Sequence, residues 1–285
     1  MTSGPAPIPP YDNTWQRAID RWSIIMAAHA LRPRTIFQRG KRITQLSREL
    51  RMSLPDVTTE DLLIWTAHKG WKTVNHQYNF HSTIRLFFRA IQPDLAEALP
   101  QVKRPPSVPR PLPDTIYFAA LDQVDERKAL ILKIARQAGD RRSETATLSV
   151  TDLILRGDGW TLYVHGKGGK DRAIPIPDDL AAAILHWANQ LDDPNGWVFP
   201  GPNGHLSPGY IGYLARQALK LASPVANLHR LRHSYATKGV AETHDLLAMR
   251  DLLGHASVST TEQYVQVVDG ALRCVAEAAA PVRVA

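Results

Sequence analysis

The chain has 285 residues, of which 44% are hydrophobic and 21% charged, a balance that predicts one large or two medium folded domains and excludes a disordered chain. The formal net charge of +7 favours an anionic partner, either nucleic acid or an anionic membrane surface. A single cysteine, Cys274, excludes an internal disulfide and fits a cytoplasmic protein, and no apolar run approaches the ~18 residues of a membrane span.

The first half of the chain predicts a bundle of helices. Apolar residues recur at helical spacing between residues 15 and 26 and again between residues 84 and 91. Pro33 occupies a place typical of a first helical turn, and residues 58–61 resemble a capped helix start. We therefore expect about four helices, with their aromatic side chains in the core rather than stacked on bases.

Proline divides the chain between residues 96 and 113. Proline lacks a backbone N–H and clashes with the preceding helical turn, so this segment is expected to form an extended, stiff linker. Its cations Lys103, Arg104 and Arg110 are candidate contacts to DNA. The predicted domains are a flexible N-terminus at 1–13, a helical domain at 14–95, the basic linker at 96–113 and a second domain at 114–285.

The second half predicts helices around a small sheet. Residues 114–138 are helical and end at Gly139, and two alternating segments, 160–164 and 172–176, form strands on either side of a glycine turn. The expected fold class is mainly α with a small antiparallel β-sheet (α+β). The later helices are predicted at 179–191, 208–222, 228–240, 244–253 and 259–267.

Four short segments of the second half carry groups suited to cutting a phosphodiester. Paired arginines match the oxygens of a phosphate and stabilise the charge of its transition state. A lysine on a glycine hairpin could protonate the leaving oxygen, and histidine could orient a nucleophile. A tyrosine nucleophile has a pKa of about 10, so it needs cations nearby to ionise. The segments are residues 139–144, 166–170, 229–237 and 253–264, the last of which ends at Tyr264.

Together these segments resemble the tyrosine recombinase (phage integrase) family, and the resemblance runs through most of the chain. It implies an N-terminal four-helix-like core-binding domain, a catalytic domain, and an enzyme that breaks and rejoins DNA through a 3′-phosphotyrosine, without metal, cofactor or ATP. It also implies a homo-tetramer on two duplexes of double-stranded DNA, with an accessory directionality factor as a further candidate partner. The roles it implies are catalytic for Arg141, Lys167, His229, Arg232, His255 and Tyr264 (nucleophile), supporting for Glu144 and His233, and DNA-binding for Lys170 and Arg172.

Two features depart from or narrow the family pattern. Asp140 stands where the family usually has an apolar residue, and an acid there could weaken or reorient the arginine beside it. The helices start near residue 14, which leaves no room for an arm-binding domain and predicts a core-only, Xer-like integrase. Phage integration and chromosome or plasmid resolution both remain open.

Each motif also has an ordinary interpretation. His229 and His233 have the spacing of a zinc pair, but no third ligand is evident. The glycine hairpin could be an inert turn. Arg141 could be a helix-end cation paired with Glu144. Tyr235 is interpreted as a core residue rather than as a rival nucleophile. The short apolar segment 271–280 could dock on its own domain or on a neighbouring subunit.

Two alternative functions remain beside the recombinase. A type IB topoisomerase uses a similar residue set to relax DNA within one duplex. A DNA-binding protein with a decayed site would require the loss of a reactive residue, and none of the expected residues is missing.

Overall fold

The structure is a computed structural model that describes residues 13–104, 109–166, 169, 171–191, 193–202, 204–255, 257, 259–262 and 264. The chain separates into two compact units, residues 1–106 and 107–285. Among the described residues, no helix is both long and apolar enough to cross a membrane.

The first unit is a bundle of helices around an aromatic core. Trp15, Trp22 and Phe87 are buried and in ring contact, so the prediction that these aromatics form the core is confirmed. Pro33 begins the second helix, and Thr58 and Asp61 form a capping box at the third, as the sequence predicts. The helices are α1 (Asn13–Ala28), α2 (Pro33–Leu50), α3 (Thr59–His68), α4 (Val74–Ile91) and α5 (Pro93–Ala98), with a 3-10 turn at Leu54–Asp56.

Helix α5 changes the predicted course of the proline-rich segment. The sequence predicts an extended linker from residue 96, but the chain is helical up to Ala98. The physical reason is that Pro93 lies in the first turn, where its missing N–H costs no helical hydrogen bond.

The second unit is mostly helical and contains a three-stranded antiparallel sheet in the order β1-β2-β3. The two predicted strands pair in register, with Leu162 opposite Ile174. Strand β1 was not predicted, because most of its side chains are exposed and it lacks an apolar alternation. The elements are α6 (Asp114–Leu121), α7 (Glu126–Gln137), α8 (Arg142–Ala146), β1 (Leu153–Arg156), β2 (Gly159–Val164), β3 (Arg172–Ile176), α9 (Asp178–Leu191), β4 (Pro200–Gly201), β5 (Gly204–His205), α10 (Pro208–Lys220), α11 (Leu228–Thr243), α12 (Leu246–Leu253) and α13 (Ser259–Glu262).

The junction between α7 and α8 lies against helix α11. Gly139 has a φ of +67°, and a Cβ built on it would lie 2.5 Å from the ring of Tyr235. Only glycine fits this close approach without displacing the ring. Tyr235 packs against the small apolar cluster around Leu253, which agrees with its interpretation as a core residue.

The observed fold is therefore mainly helical with small antiparallel sheets, as predicted. The three-stranded sheet, the α7–α8 junction, α11 and the end of α12 all belong to the second unit.

Candidate active site

Arg141 stands at the junction between α7 and α8, where its backbone is extended and the helix begins at the next residue. Its backbone N–H donates to Oε2 of Glu144 at 2.9 Å, and its Nη1 donates to Oε1 of the same carboxylate at 2.7 Å. The side chain is 34% exposed. A fixed and accessible guanidinium of this kind can bind an anion from solvent.

Glu144 is the anion that holds this arginine, and its side chain is 2% exposed. Burial alone would raise its pKa, but hydrogen bonds and charge from Arg172, followed by the bonds from Arg141, lower the pKa to about 2. The carboxylate is therefore ionised at any physiological pH.

Arg232 extends from α11 into the same place and is almost fully buried. It donates hydrogen bonds to the carbonyl of Gly139, to the carbonyl of Leu253 at 2.5 Å and to Nε2 of His255 at 3.4 Å. Burial, followed by the charge of Arg141, lowers its pKa to about 10, so the guanidinium stays charged near neutral pH. One side chain thus joins the α7–α8 junction to the end of α12.

His255 follows α12 and has both ring nitrogens engaged. Nε2 accepts from Arg232, and Nδ1 lies 3.1 Å from the hydroxyl of Thr261. Arginine only donates, so these partners place the ring proton on Nδ1. Burial first, and then the charge of Arg232, lower the pKa of His255 to about 4, so the ring is neutral near pH 7.

Tyr264 lies beside the two histidines of this cluster. Its hydroxyl is 3.1 Å from Nδ1 of His233, and its ring stacks with that of His255 at 6.5 Å between centroids. The residue is only 2% exposed. Burial raises the pKa of Tyr264, and the charges of Arg232 and Arg141 act in the opposite direction.

His233 and His229 occupy successive turns of α11, with ring centroids 4.3 Å apart. His233 is buried, and burial first, followed by the charge of His229, lowers its pKa to about 4. The neutral imidazole can accept the Tyr264 proton in a hydrogen bond. His229 is exposed, so it remains accessible to a ligand.

The zinc interpretation gains no support from the part of the chain that the structure describes. No group of three or more His, Cys, Asp or Glu residues suited to a metal ion occurs there.

Arg172 and Asp140 have positions that the sequence analysis did not assign to them. Arg172 was expected to contact DNA, but its side chain is 7% exposed and donates to Glu144 at 2.8 and 3.1 Å and to Asp140 at 3.4 Å. Asp140 is buried, and its Oδ2 has no hydrogen-bond partner among the described residues. Burial first, and then the neighbouring Glu144, raise the pKa of Asp140 to about 7.

A signal for the buried position of Arg172 was present in the sequence. Residues 172, 174 and 176 alternate along β3, and Ile174 and Ile176 are both buried. Because side chains two residues apart share one face of a strand, Arg172 follows these isoleucines toward the interior. The alternation that predicts strand β3 therefore also predicts the inward orientation of its arginine.

Several expected site residues cannot be placed in this cluster. Lys167 and Lys170, the candidate acid and a candidate DNA contact, lie outside the described residues, as do residues 1–12, Cys274 and the segment 271–280. Lys103, Arg104 and Arg110 are described and exposed.

The cluster as a whole carries an excess of positive charge. Three guanidiniums, on Arg141, Arg172 and Arg232, face two carboxylates, on Glu144 and Asp140. Neutral imidazoles and a phenol complete the lining. Such a site can bind a phosphate and stabilise additional negative charge on it, with a hydroxyl nucleophile within the cluster.

Comparison with known proteins gives a family match over this unit. Residues 114–270 match the phage integrase family. The tyrosine recombinase XerA of Thermococcus kodakarensis is 32% identical over 181 residues, or 60% of this chain and 64% of that protein. XerC of Mesorhizobium japonicum is 35% identical over 204 residues, or 65% of this chain and 64% of that protein. Each match thus spans just under two thirds of the relative's length.

The fold has relatives among solved structures. A lambda integrase dimer bound to a COC′ core site superposes with a TM-score of 0.71 at 20% identity, covering 87% of this chain and 94% of that one. At this identity the likeness shows a shared fold.

Proposed function

The chain belongs to the phage integrase family, and on that premise we propose that it is a site-specific DNA recombinase that cuts and rejoins strands through a 3′-phosphotyrosine at Tyr264. The observation that carries the proposal is the convergence of groups that are distant in sequence. Arg141, Arg232, His255 and Tyr264 come from three segments and meet in one cluster of the second unit.

The two arginines bind the scissile phosphate in this scheme. Arg141 presents its guanidinium from the exposed side, and Arg232 lies deeper with its charge intact near neutral pH. As the phosphorus becomes pentacoordinate, charge grows on its non-bridging oxygens, and these fixed cations stabilise it. Exposed His229 hydrogen-bonds to those oxygens, whereas neutral His255, whose two ring nitrogens are engaged, holds Arg232 in place beside them.

Tyr264 supplies the nucleophile. Its oxygen attacks phosphorus, the bond to the 5′-oxygen breaks, and that oxygen leaves with a proton from Lys167. The phenol proton passes first to a neutral acceptor, for which His233 is already in hydrogen-bond contact. The hydroxyl is enclosed, so binding of DNA must open a path from the phosphate to Tyr264.

Rejoining is the same reaction in reverse. A 5′-hydroxyl from a second duplex attacks the phosphotyrosine and gives its proton to Lys167, and the tyrosine oxygen leaves and takes back its proton from His233. The phosphodiester energy stays in the covalent link, so neither ATP nor a metal ion is required. Exchange of both strand pairs needs four active sites, so we propose a homo-tetramer on two duplexes, with Lys170 and the linker cations Lys103, Arg104 and Arg110 contacting backbone phosphates.

A nicked suicide substrate tests this function. Its nick, close to the cleavage point, lets the 5′-hydroxyl fragment diffuse away and traps the covalent complex. We expect wild-type protein to form an adduct in EDTA and to lose it on Tyr264→Phe, and sequencing of the trapped DNA from a random library would identify the site. An adduct that requires a divalent metal, or that persists in the Phe variant, would exclude the proposed mechanism.

A further inference from the structure

Arg172 is a cation of the cluster to which the proposed reaction gives no task. It stands at the start of β3. Its four hydrogen bonds run to Glu144, Asp140 and the carbonyl of Leu252. They occupy all but one of the N–H groups of the guanidinium, so little of it is left to contact DNA.

We propose that Arg172 is a positioning residue that holds the phosphate-binding arginine Arg141 and the histidine His255 in a common frame. This inference rests on the proposed function, since it concerns the geometry of the same site. The buried guanidinium of Arg172 connects three elements: the α7–α8 junction, β3 and the end of α12.

The link to Arg141 passes through one carboxylate. Oε1 of Glu144 accepts from Nη1 of Arg141 and from Nη1 of Arg172, and Oε2 accepts from the backbone of Arg141 and from Nη2 of Arg172. Both carboxylate oxygens are therefore shared by the two arginines. Without the planar fork of Arg172, Glu144 keeps only its two hydrogen bonds to Arg141, so the carboxylate and the Arg141 guanidinium are held less firmly relative to β3 and α12.

The link to His255 passes through the end of α12. Nε of Arg172 donates to the carbonyl of Leu252 at 2.7 Å, two residues before Gly254. Gly254 ends the helix with a φ of +60°, and a Cβ built on it would lie 3.2 Å from Cδ of Arg172. The arginine stem thus packs directly under the turn that leads to His255.

Asp140 is the second carboxylate of this network. It accepts from Arg172 at 3.4 Å, while its other oxygen has no partner among the described residues. A buried carboxylate beside the cations reduces the positive charge that a phosphate meets. Arg172 offsets this effect, because it places a guanidinium between Asp140 and Glu144.

Substitution by lysine separates geometry from charge. Arg172→Lys keeps the cation but cannot bond both oxygens of Glu144 and the Leu252 carbonyl at once. We expect adduct formation at saturating DNA to slow by about 10–100-fold, as for residues that orient the ligands of a metal site, while the half-saturating DNA concentration changes by less than about 3-fold. Lysine that restores the wild-type rate would overturn the proposal.

A matched control and a partner variant sharpen the result. Arg136 is also ion-paired, to Asp114 at 2.8 Å, and is 13% exposed in the same unit outside the cluster, so Arg136→Lys should leave the cleavage rate unchanged. In a double-mutant cycle with Glu144→Gln, the double variant should be no slower than the slower single variant, because Arg172 acts through Glu144. Fully additive losses would contradict that route.

Two further measurements separate a loss of positioning from a loss of folding and from a failure of the proposed function. If thermal melting shows that the Arg172→Lys variant is not folded, the same rates are measured in an Asp140→Asn background, which removes the second buried acid. If the wild type forms no adduct, the proposed function fails, and a crystal structure of Arg172→Lys decides the positioning role. A displaced Glu144 or Gly254 supports it, and an unchanged Arg141–Glu144 contact with an unmoved His255 overturns it.

Discussion

Each unit of the molecule contains a group of ion-paired side chains that are partly or fully shielded from solvent. The two groups differ in the ratio of positive to negative charges. In the first unit, Lys69 pairs with Glu49 at 2.5 Å, Trp65 donates to the same carboxylate, and the ammonium lies 5.2 Å from the Trp65 ring. In the second unit, three guanidiniums share two carboxylates. A matched pair satisfies its own charges and stabilises a fold, whereas an excess of fixed cations leaves capacity for an added anion.

The strongest test of this contrast removes the proposed nucleophile from the cluster of the second unit, which we call the unbalanced cluster because its guanidiniums outnumber its carboxylates. Tyr264→Phe should bind DNA normally and form no detectable adduct, because phenylalanine has no oxygen to attack phosphorus. The measurement is gel separation of protein–DNA adducts, with Tyr235→Phe as the control. Strand transfer by Tyr264→Phe would assign the nucleophile elsewhere.

The next test removes a cation from the unbalanced cluster. Arg232→Ala should slow cleavage by about 100–1,000-fold, because its charge acts on the transition state. Binding of DNA, measured by fluorescence anisotropy, should weaken far less. An equal loss of binding and cleavage would mean that Arg232 contributes to uniform binding only.

A third test concerns the acid in the unbalanced cluster. The folded pKa of Asp140 is raised to about 7, so the folded state holds a proton that the unfolded state releases at lower pH. The stabilisation is complete below the unfolded pKa and is lost as pH rises through about 7, by up to about 4 kcal/mol. Asp140→Asn should remove this dependence.

Urea unfolding of wild type and Asp140→Asn at pH 5 and pH 8 measures the effect. The Asn variant should gain stability relative to wild type as pH rises between these values. The pKa of Glu144 is about 2, and those of His233 and His255 are about 4, so these groups cancel in the comparison of the two proteins. A constant difference between the two proteins would show that Asp140 does not titrate in this window.

The smallest expected effect concerns the balanced pair. Lys69→Met should lower the free energy of unfolding of the first unit by about 1–2 kcal/mol, since it leaves Glu49 with only neutral donors. The cleavage rate at saturating DNA should not change. A loss of cleavage without loss of stability would contradict the structural role of this pair.

Much of the fold followed from local patterns. The capped start of α3 at Thr58, the proline start of α2 and the pairing of residues 160–164 with 172–176 depend on spacing alone, and the structure confirms them. Strand β1 was missed because its exposed side chains show no period. The helical stretch up to Ala98 was missed because a proline-rich composition favoured an extended chain.

The sequence by itself determined which residue types are present and in what order, and its resemblance to the phage integrase family was sufficient to nominate Arg141, Arg232, His255 and Tyr264. The tertiary structure alone decided which charges share a carboxylate. Burial of Arg172 beside Glu144, the lack of a partner for one Asp140 oxygen among the residues that the structure describes, and the contact of Tyr264 with His233 depend on segments far apart in the chain. Hydrogen bonding and desolvation act over a few ångströms in space, and linear spacing does not encode such distances.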